Sequence, residues 1–181
     1  MRKVCLSVLM MLVAAFSYAQ FTKATLQATG LTCAMCSNAI NKALQKVPFV
    51  ASVRSDIKNS AFNIVFSEGQ EINIDALKKA VEDAGFSVGS LKLTGNFQEL
   101  KIEKDKYVEI GGETFHFLIA DEQVLNGEQT ISVVDKNYLT AKQFKKITSS
   151  TSMSCVKTGK AGSCSMSKGL APDTRVYHVT I

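Results

Sequence analysis

Two prolines and two histidines stand in 181 residues, and the shortages are informative. With His116 and His178 as the whole histidine supply, and neither near the CxxC in sequence, no Ser-His-Asp arrangement stands out. No paired-carboxylate site or phosphate loop stands out either, and Gly111-Gly112 reads as a turn. The chain is therefore read as a non-enzyme. Basic residues form no stripe. Pairs such as Lys78-Lys79 and Lys145-Lys146 are scattered, so nothing suggests a nucleic-acid-binding face. After Phe16 no run is apolar enough to cross a bilayer, which takes about 20 residues. Between Thr148 and Lys168 there is no acidic residue at all.

What is present begins with an export signal. Arg2 and Lys3 form a positive start, Leu6 to Phe16 is apolar except for Ser7, and Ser17-Tyr18-Ala19 is a small-x-small cleavage pattern. Residues 1–19 are expected to be a signal peptide, and Gln20 the first residue of a periplasmic or secreted chain with no stable membrane insertion. Without the signal the balance is 19 basic to 16 acidic residues, a mild charge that points to no strongly charged partner. Cys5 leaves with the signal, so four cysteines remain: Cys33, Cys36, Cys155 and Cys164. Their wide separation and unlike surroundings read as two local sites.

The densest chemistry lies in Gly30-Leu31-Thr32-Cys33-Ala34-Met35-Cys36. Two cysteines with two residues between them sit where a strand gives way to a helix. Cys33 is expected in the loop and Cys36 in the first helical turn, a place that favours thiolates. Alternation at Ala24, Leu26 and Ala28 predicts a strand. Cys36, Ala39, Ile40, Ala43, Leu44 and Val47 fall at helical spacing, and Pro48 closes that helix. Val50–Ile57 and Phe62–Phe66 read as strands joined by a Lys58-Asn59 turn. Asn73 caps a second helix whose inner face is Ile74, Leu77, Ala80, Val81 and Ala84, stopped by Gly85. A last strand runs from Phe86 to Leu93. This β-α-β-β-α-β order over residues 22–93 is the ferredoxin-like plan, an antiparallel sheet with two helices on one face.

The cysteine motif followed by this element order resembles the heavy-metal-associated domain, whose pattern is Gly-Met-Thr-Cys-x-x-Cys. Cys33 and Cys36 fall on its two metal-binding cysteines, Thr32 matches, Leu31 replaces the usual Met, and Gly85-Phe86 falls where the family often carries an aromatic near the metal loop. The resemblance implies a metal-binding, metallochaperone-like protein with a copper-transporting ATPase or another metal-accepting protein as partner. The chemistry of the residues agrees. Two thiolates suit a two-coordinate soft ion such as Cu(I), whereas Zn(II) needs four ligands. Hg(II) suits the same linear dithiolate, so a mercury(II) scavenger is an alternative. A thiol-disulfide redox protein is the alternative from another class. Against it, no aromatic precedes Cys33, Met35 takes the inner position, and neither Pro48 nor Pro172 is placed to face the motif.

Residues 94–181 carry no family signature. Phe97–Ile102, Tyr107–Ile110, Thr114–Ile119, Thr130–Val134 and Arg175–Ile181 read as strands, with turns at Gly111-Gly112 and Asn126-Gly127 and a helix over Thr140–Ile147. The fold class expected is thus α+β: a ferredoxin-like domain followed by a smaller β-rich domain, either a partly open barrel or strands that extend the first sheet. Residues 148–168 are expected to be a mobile loop. Within it Met153-Ser154-Cys155 and Cys164-Ser165-Met166 are nearly mirror-symmetric. Cys155 and Cys164 are read as a disulfide or, with Met153 and Met166, as a second Cu(I) site. His116 and His178 are read as structural or surface residues.

Overall fold

The computed structural model describes residues 20–31, 33–103, 106–118, 121–150, 153–165 and 170–181. The expected signal segment, Thr32 and Met166 lie outside the described residues. No helix among the described residues is long and apolar enough to span a membrane.

The first half follows the expected order. It comprises β1 (Gln20–Thr29), α1 (Ala34–Gln45), β2 (Val50–Asp56), β3 (Ala61–Phe66), α2 (Ile74–Asp83) and β4 (Ser87–Ile102). The local causes are visible at the element ends. Asn73 Oδ1 accepts from the Ala76 N–H at 2.9 Å and starts α2. Asn59 donates from its backbone N–H and its side chain to Asp56 at 3.2 and 2.7 Å, closing the β2–β3 turn. Gly85, at φ +86°, ends α2 in a left-handed conformation. β1 lies between β3 and β4, antiparallel to both. Ala24, Leu26 and Ala28 of β1, with Phe62, Ile64 and Phe66 of β3, meet Ile40 and Leu44 of α1 and Ile74, Leu77 and Val81 of α2 in one buried core.

The second half adds β5 (Tyr107–Ile110), β6 (Glu113–Phe117), β7 (Gln123–Val133), α3 (Ala141–Ser150), a short turn α4 (Cys155–Thr158) and β8 (Val176–Thr180). These strands do not close a barrel. They continue the first sheet, giving the order β2-β3-β1-β4-β7-β8-β6-β5. Of the two arrangements expected, extension of the sheet is the one observed. The reason lies in β4. Its 16 residues run through the position where the first unit was expected to end, pairing with β1 along its first part and with β7 along its length. At Gly95 any Cβ would come within 2.8 Å of the Gln20 carbonyl oxygen, so glycine is what permits the close β1–β4 approach there. Phe21 packs edge-on against Phe97 and Phe115, at centroid distances of 6.1 and 5.4 Å, which joins both halves in one core.

Two further expectations need correction. Asn126-Gly127 is not a chain reversal but lies inside β7, where Gly127 opposes Phe97 beside an irregularity between Phe97 and Leu100. Glu99 takes φ +48° there, so the turn-like residues serve a bulge. The span 148–168 is not simply a loop. Its described part finishes α3, then forms α4 and a 3₁₀ turn at Gly162–Ser165, burying Cys155, Val156 and Ala161. Thr140 starts α3 as expected, with reciprocal bonds to Gln143: the Thr140 N–H donates to Gln143 Oε1 at 3.1 Å and the Gln143 N–H to Thr140 Oγ1 at 3.4 Å.

Asp75, in the first turn of α2, clasps the second half to the first. It accepts from Arg175 Nε at 2.9 Å and from the Tyr138 hydroxyl at 2.5 Å. Burial by itself would raise the Asp75 pKa, but the hydrogen bonds from Arg175 and Tyr138 outweigh it and hold the carboxyl below its ordinary value. Arg175 also reaches Asp135 Oδ2 at 3.1 Å and lies 3.9 Å over the Tyr177 ring.

Candidate metal centre

β1 ends at Thr29, and Gly30, at φ +84°, turns the chain towards α1. Leu31 packs partly buried against the core beneath the loop. Phe86 brings its ring to the same place, 4.0 Å from where a Cβ on Gly30 would stand. Cys33 is the N-cap residue of α1, in extended conformation (φ −154°, ψ 163°), and its side chain makes no cap bond. The sulfur is therefore not committed to the helix end. Cys36 sits in the first turn. Its Sγ lies 2.9 Å from Cys33 Sγ, and neither cysteine is in a disulfide. Cys33 is exposed, Cys36 is half-buried, and Met35 between them is 83% exposed. Met35 thus points to solvent as a loop residue.

This geometry presents two thiols at the rim of a rigid unit. Thiolate–metal bonds of about 2.3 Å on either side would set the sulfurs about 4.6 Å apart in a linear complex, so loading opens the pair by less than about 2 Å. An exposed, uncapped Cys33 can make that adjustment without disturbing the core. No acidic residue stands in the first turn of α1 to oppose the charge of two thiolates. Among the described residues no three His, Cys, Asp or Glu groups gather as metal ligands. A two-coordinate soft ion suits the donor set, and a four-coordinate one does not.

The second cysteine pair also comes together, away from the first. Cys155, on α4, is buried, and Cys164, on the 3₁₀ turn, is half-buried; both are free thiols rather than a disulfide. Burial first, and then the influence of the Cys164 thiol, push the Cys155 thiol up to about 12. Met153 lies half-buried just before α4. The histidines take the structural of their two expected places. Neither is at the surface: His116 is 1% and His178 0% exposed. They are register partners on the parallel strands β6 and β8, with ring centroids 5.4 Å apart. Apolar and aromatic neighbours on both sides of each histidine were the available signal, since a strand buried on both faces has no polar side.

The described unit is thus ferredoxin-like, with a CxxC pair at its β1–α1 junction. A family model, the heavy-metal-associated domain, matches residues 25–87. The chain is 30% identical over 59 residues to the copper chaperone CopZ of Staphylococcus haemolyticus, covering 85% of that protein and 33% of this chain. It is 36% identical over 58 residues to a copper-transporting ATPase of Helicobacter pylori, covering 8% of that protein and 32% of this chain. Among solved structures, oxidized MerP from Ralstonia metallidurans CH34 is 31% identical, with a TM-score of 0.33, over 36% of this chain and 93% of that one. The chain spans only 7–8% of the length of the copper-transporting ATPases it matches. It belongs to the heavy-metal-associated domain family.

Proposed function

We propose that this protein is an exported carrier that binds Cu(I) between Cys33 and Cys36 and passes it to the cysteines of a metal-accepting partner, for delivery or sequestration. The observation that carries this reading is the convergence of the Cys33 and Cys36 thiols, 2.9 Å apart, at a helix start. Two soft donors and no third ligand leave the ion coordinatively open. A partner thiolate can bond to it before one of the protein's own leaves, so transfer proceeds through three-coordinate intermediates without release of free ion. The copper chaperone and copper-transporting ATPases among the relatives support copper as the cargo and a copper-transporting ATPase as one class of acceptor. Export rests on the sequence of residues 1–19, and cleavage after Ala19 would leave β1 whole, since it begins at Gln20.

The test is an anaerobic Cu(I) titration of the reduced chain from Gln20 against a competing chelator, with a Cys33→Ser/Cys36→Ser variant alongside. The loop should account for one tightly held equivalent that the variant loses. Preference for Hg(II) over Cu(I) in the same competition would turn the reading to a mercury scavenger. Absence of tight metal binding together with ready disulfide exchange would turn it to redox chemistry.

A further inference from the structure

The mild net charge of the chain is the sum of two unlike parts. From Lys136 to Pro172 there are seven lysines, no arginine and no acidic residue. The other residues from Gln20 onward hold 12 basic and 16 acidic side chains, so they carry −4 against the segment's +7. The fold sets much of this positive charge on one exposed face. Along α3, Phe144, Ile147 and Thr148 are half-buried, whereas Lys142, Lys145 and Lys146 are exposed. At about 100° per residue these lysines share an arc of about 100°, opposite the apolar side. Among the described residues none of the three meets a carboxylate, and of the segment's described lysines only Lys160 does, with Asp173 at 3.0 Å.

α3 also starts beside the metal loop. The Thr140 methyl lies 4.0 Å, and the Thr29 methyl 2.7 Å, from the point where a Cβ on Gly89 would stand. Thr29 ends β1, Cys33 follows it by four residues, and Lys142 follows Thr140 by two. A helix of 10 residues is about 15 Å long. One interface of ordinary size, about 800 Å² on each partner, reaches both the lysines and the cysteines.

We propose that the lysine face of α3 is a docking surface for an acidic surface of a folded protein. That protein is the metal acceptor itself, an assignment that rests on the carrier reading above. Its carboxylates meet Lys142, Lys145 and Lys146 while its cysteines reach Cys33 and Cys36. The side chains select this occupant. A lysine ammonium is a point charge that suits a diffuse field of carboxylates, whereas forked recognition of phosphate groups falls to arginine, which the segment lacks. Its described part exposes no aromatic ring on which a nucleic-acid base could stack. A bilayer-bound helix turns its apolar side outward, but Phe144 and Ile147 are half-buried, and none of the large exposed apolar residues lies on this segment. Such a charged face acts on encounter rate and orientation, and it is screened beyond about 10 Å at about 0.1 M salt.

The test uses the reduced chain from Gln20, and its first readout needs no metal. Fluorescence anisotropy follows binding of a labelled oligoglutamate peptide, with oligoglutamine as control. Three forms are compared: unaltered, Lys142→Gln/Lys145→Gln/Lys146→Gln, and Lys58→Gln/Lys92→Gln/Lys101→Gln, which removes the same charge from exposed positions elsewhere. Oligoglutamate should bind the unaltered and second variant chains, and the α3 variant at least about tenfold more weakly, with the difference vanishing at about 0.5 M salt. The second readout is stopped-flow transfer of Cu(I) from the loaded chain to a CxxC peptide. A glutamate tail on that peptide should speed transfer about tenfold over a glutamine tail, and the α3 variant should lose this gain while keeping its Cu(I) affinity. Far-UV circular dichroism confirms that each form is folded. The docking surface is overturned if the unaltered chain does not bind oligoglutamate, or if both triple variants lose binding equally, since net charge would then suffice. Tighter binding to phosphatidylglycerol vesicles or to a DNA duplex than to oligoglutamate also overturns it. Binding without faster transfer overturns the acceptor as the occupant. Failure of the carrier reading would look different: no tight Cu(I) binding, with oligoglutamate still held by α3.

Discussion

Replacing Arg175 with methionine tests how the two halves are joined. The guanidinium meets Asp75 through Nε at 2.9 Å and Asp135 through Nη1 at 3.1 Å, and Nη1 also donates to the Gly159 and Val176 carbonyls at 2.7 and 2.8 Å. Methionine keeps much of the stem but none of these bonds. Asp75 is 41% exposed and keeps the Tyr138 hydroxyl, so its lost pair counts for less than about 1 kcal/mol. Asp135 is 4% exposed, and a buried carboxylate stripped of its cation costs about 3–5 kcal/mol. It retains His178 Nδ1 and the His178 N–H, at 2.7 and 3.3 Å, which places the loss at the lower end of that range. The expected destabilisation is about 3 kcal/mol, or about 1.5 M in the urea midpoint for a slope of about 2 kcal/mol/M. Equilibrium urea unfolding of the reduced, metal-free chain measures it. In an Asp135→Asn background the same substitution should cost at least about 1.5 kcal/mol less, because no buried charge is left unpaired. A loss under about 1 kcal/mol, or an equal loss in both backgrounds, would refute this account. Acid unfolding gives a second readout. A carboxyl held below its ordinary 3.8 contributes stability that is present above about pH 4 and is lost as the pH falls through its folded pKa. Arg175→Met should shrink that acid-sensitive part.

Other consequences can be measured separately. At pH 8 a thiol of pKa about 12 is about 10⁻⁴ ionised, against about 0.2 for an ordinary one. Iodoacetamide should therefore label Cys155 at least 10³-fold more slowly than an exposed thiol, with a rate rising about tenfold per pH unit up to pH 10; mass spectrometry showing Cys155 labelled as fast as Cys33 would contradict it. Gly95→Val should cost about 1–3 kcal/mol by driving a side chain into the Gln20 carbonyl, with faster hydrogen exchange at the start of β1 as its local sign. Asn73→Ala removes the cap bond to Ala76 and should lower the midpoint of thermal unfolding by about 2–4 °C, for a loss of about 1 kcal/mol, without changing Cu(I) stoichiometry.

The first half was legible in the sequence because its signals are local. Alternation at Ala24, Leu26 and Ala28, the helical stripe from Ile40 to Leu44, and the Asn73 cap each act within a few residues, and the CxxC pair needs only one loop and one helical turn to converge. In the second half the decisive partners are far apart. Asn126-Gly127 looks like a turn, and nothing nearby says that β4 runs on past Gly95 or that Gly127 will sit opposite Phe97. His116 and His178 are 62 positions apart and meet only through parallel pairing of β6 with β8.

The sequence alone therefore determined the ferredoxin-like order, the site of the two exposed thiols and the soft-metal chemistry they offer, since spacing along the chain sets all three. Tertiary structure decided that eight strands share one sheet. It also decided that Arg175 ties α2 to the segment after β7 through Asp75 and Asp135, and that His116 and His178 meet in a buried region. Those outcomes depend on strand pairing and burial between distant segments, whose free energies are summed over the whole core and are written in no single stretch of residues.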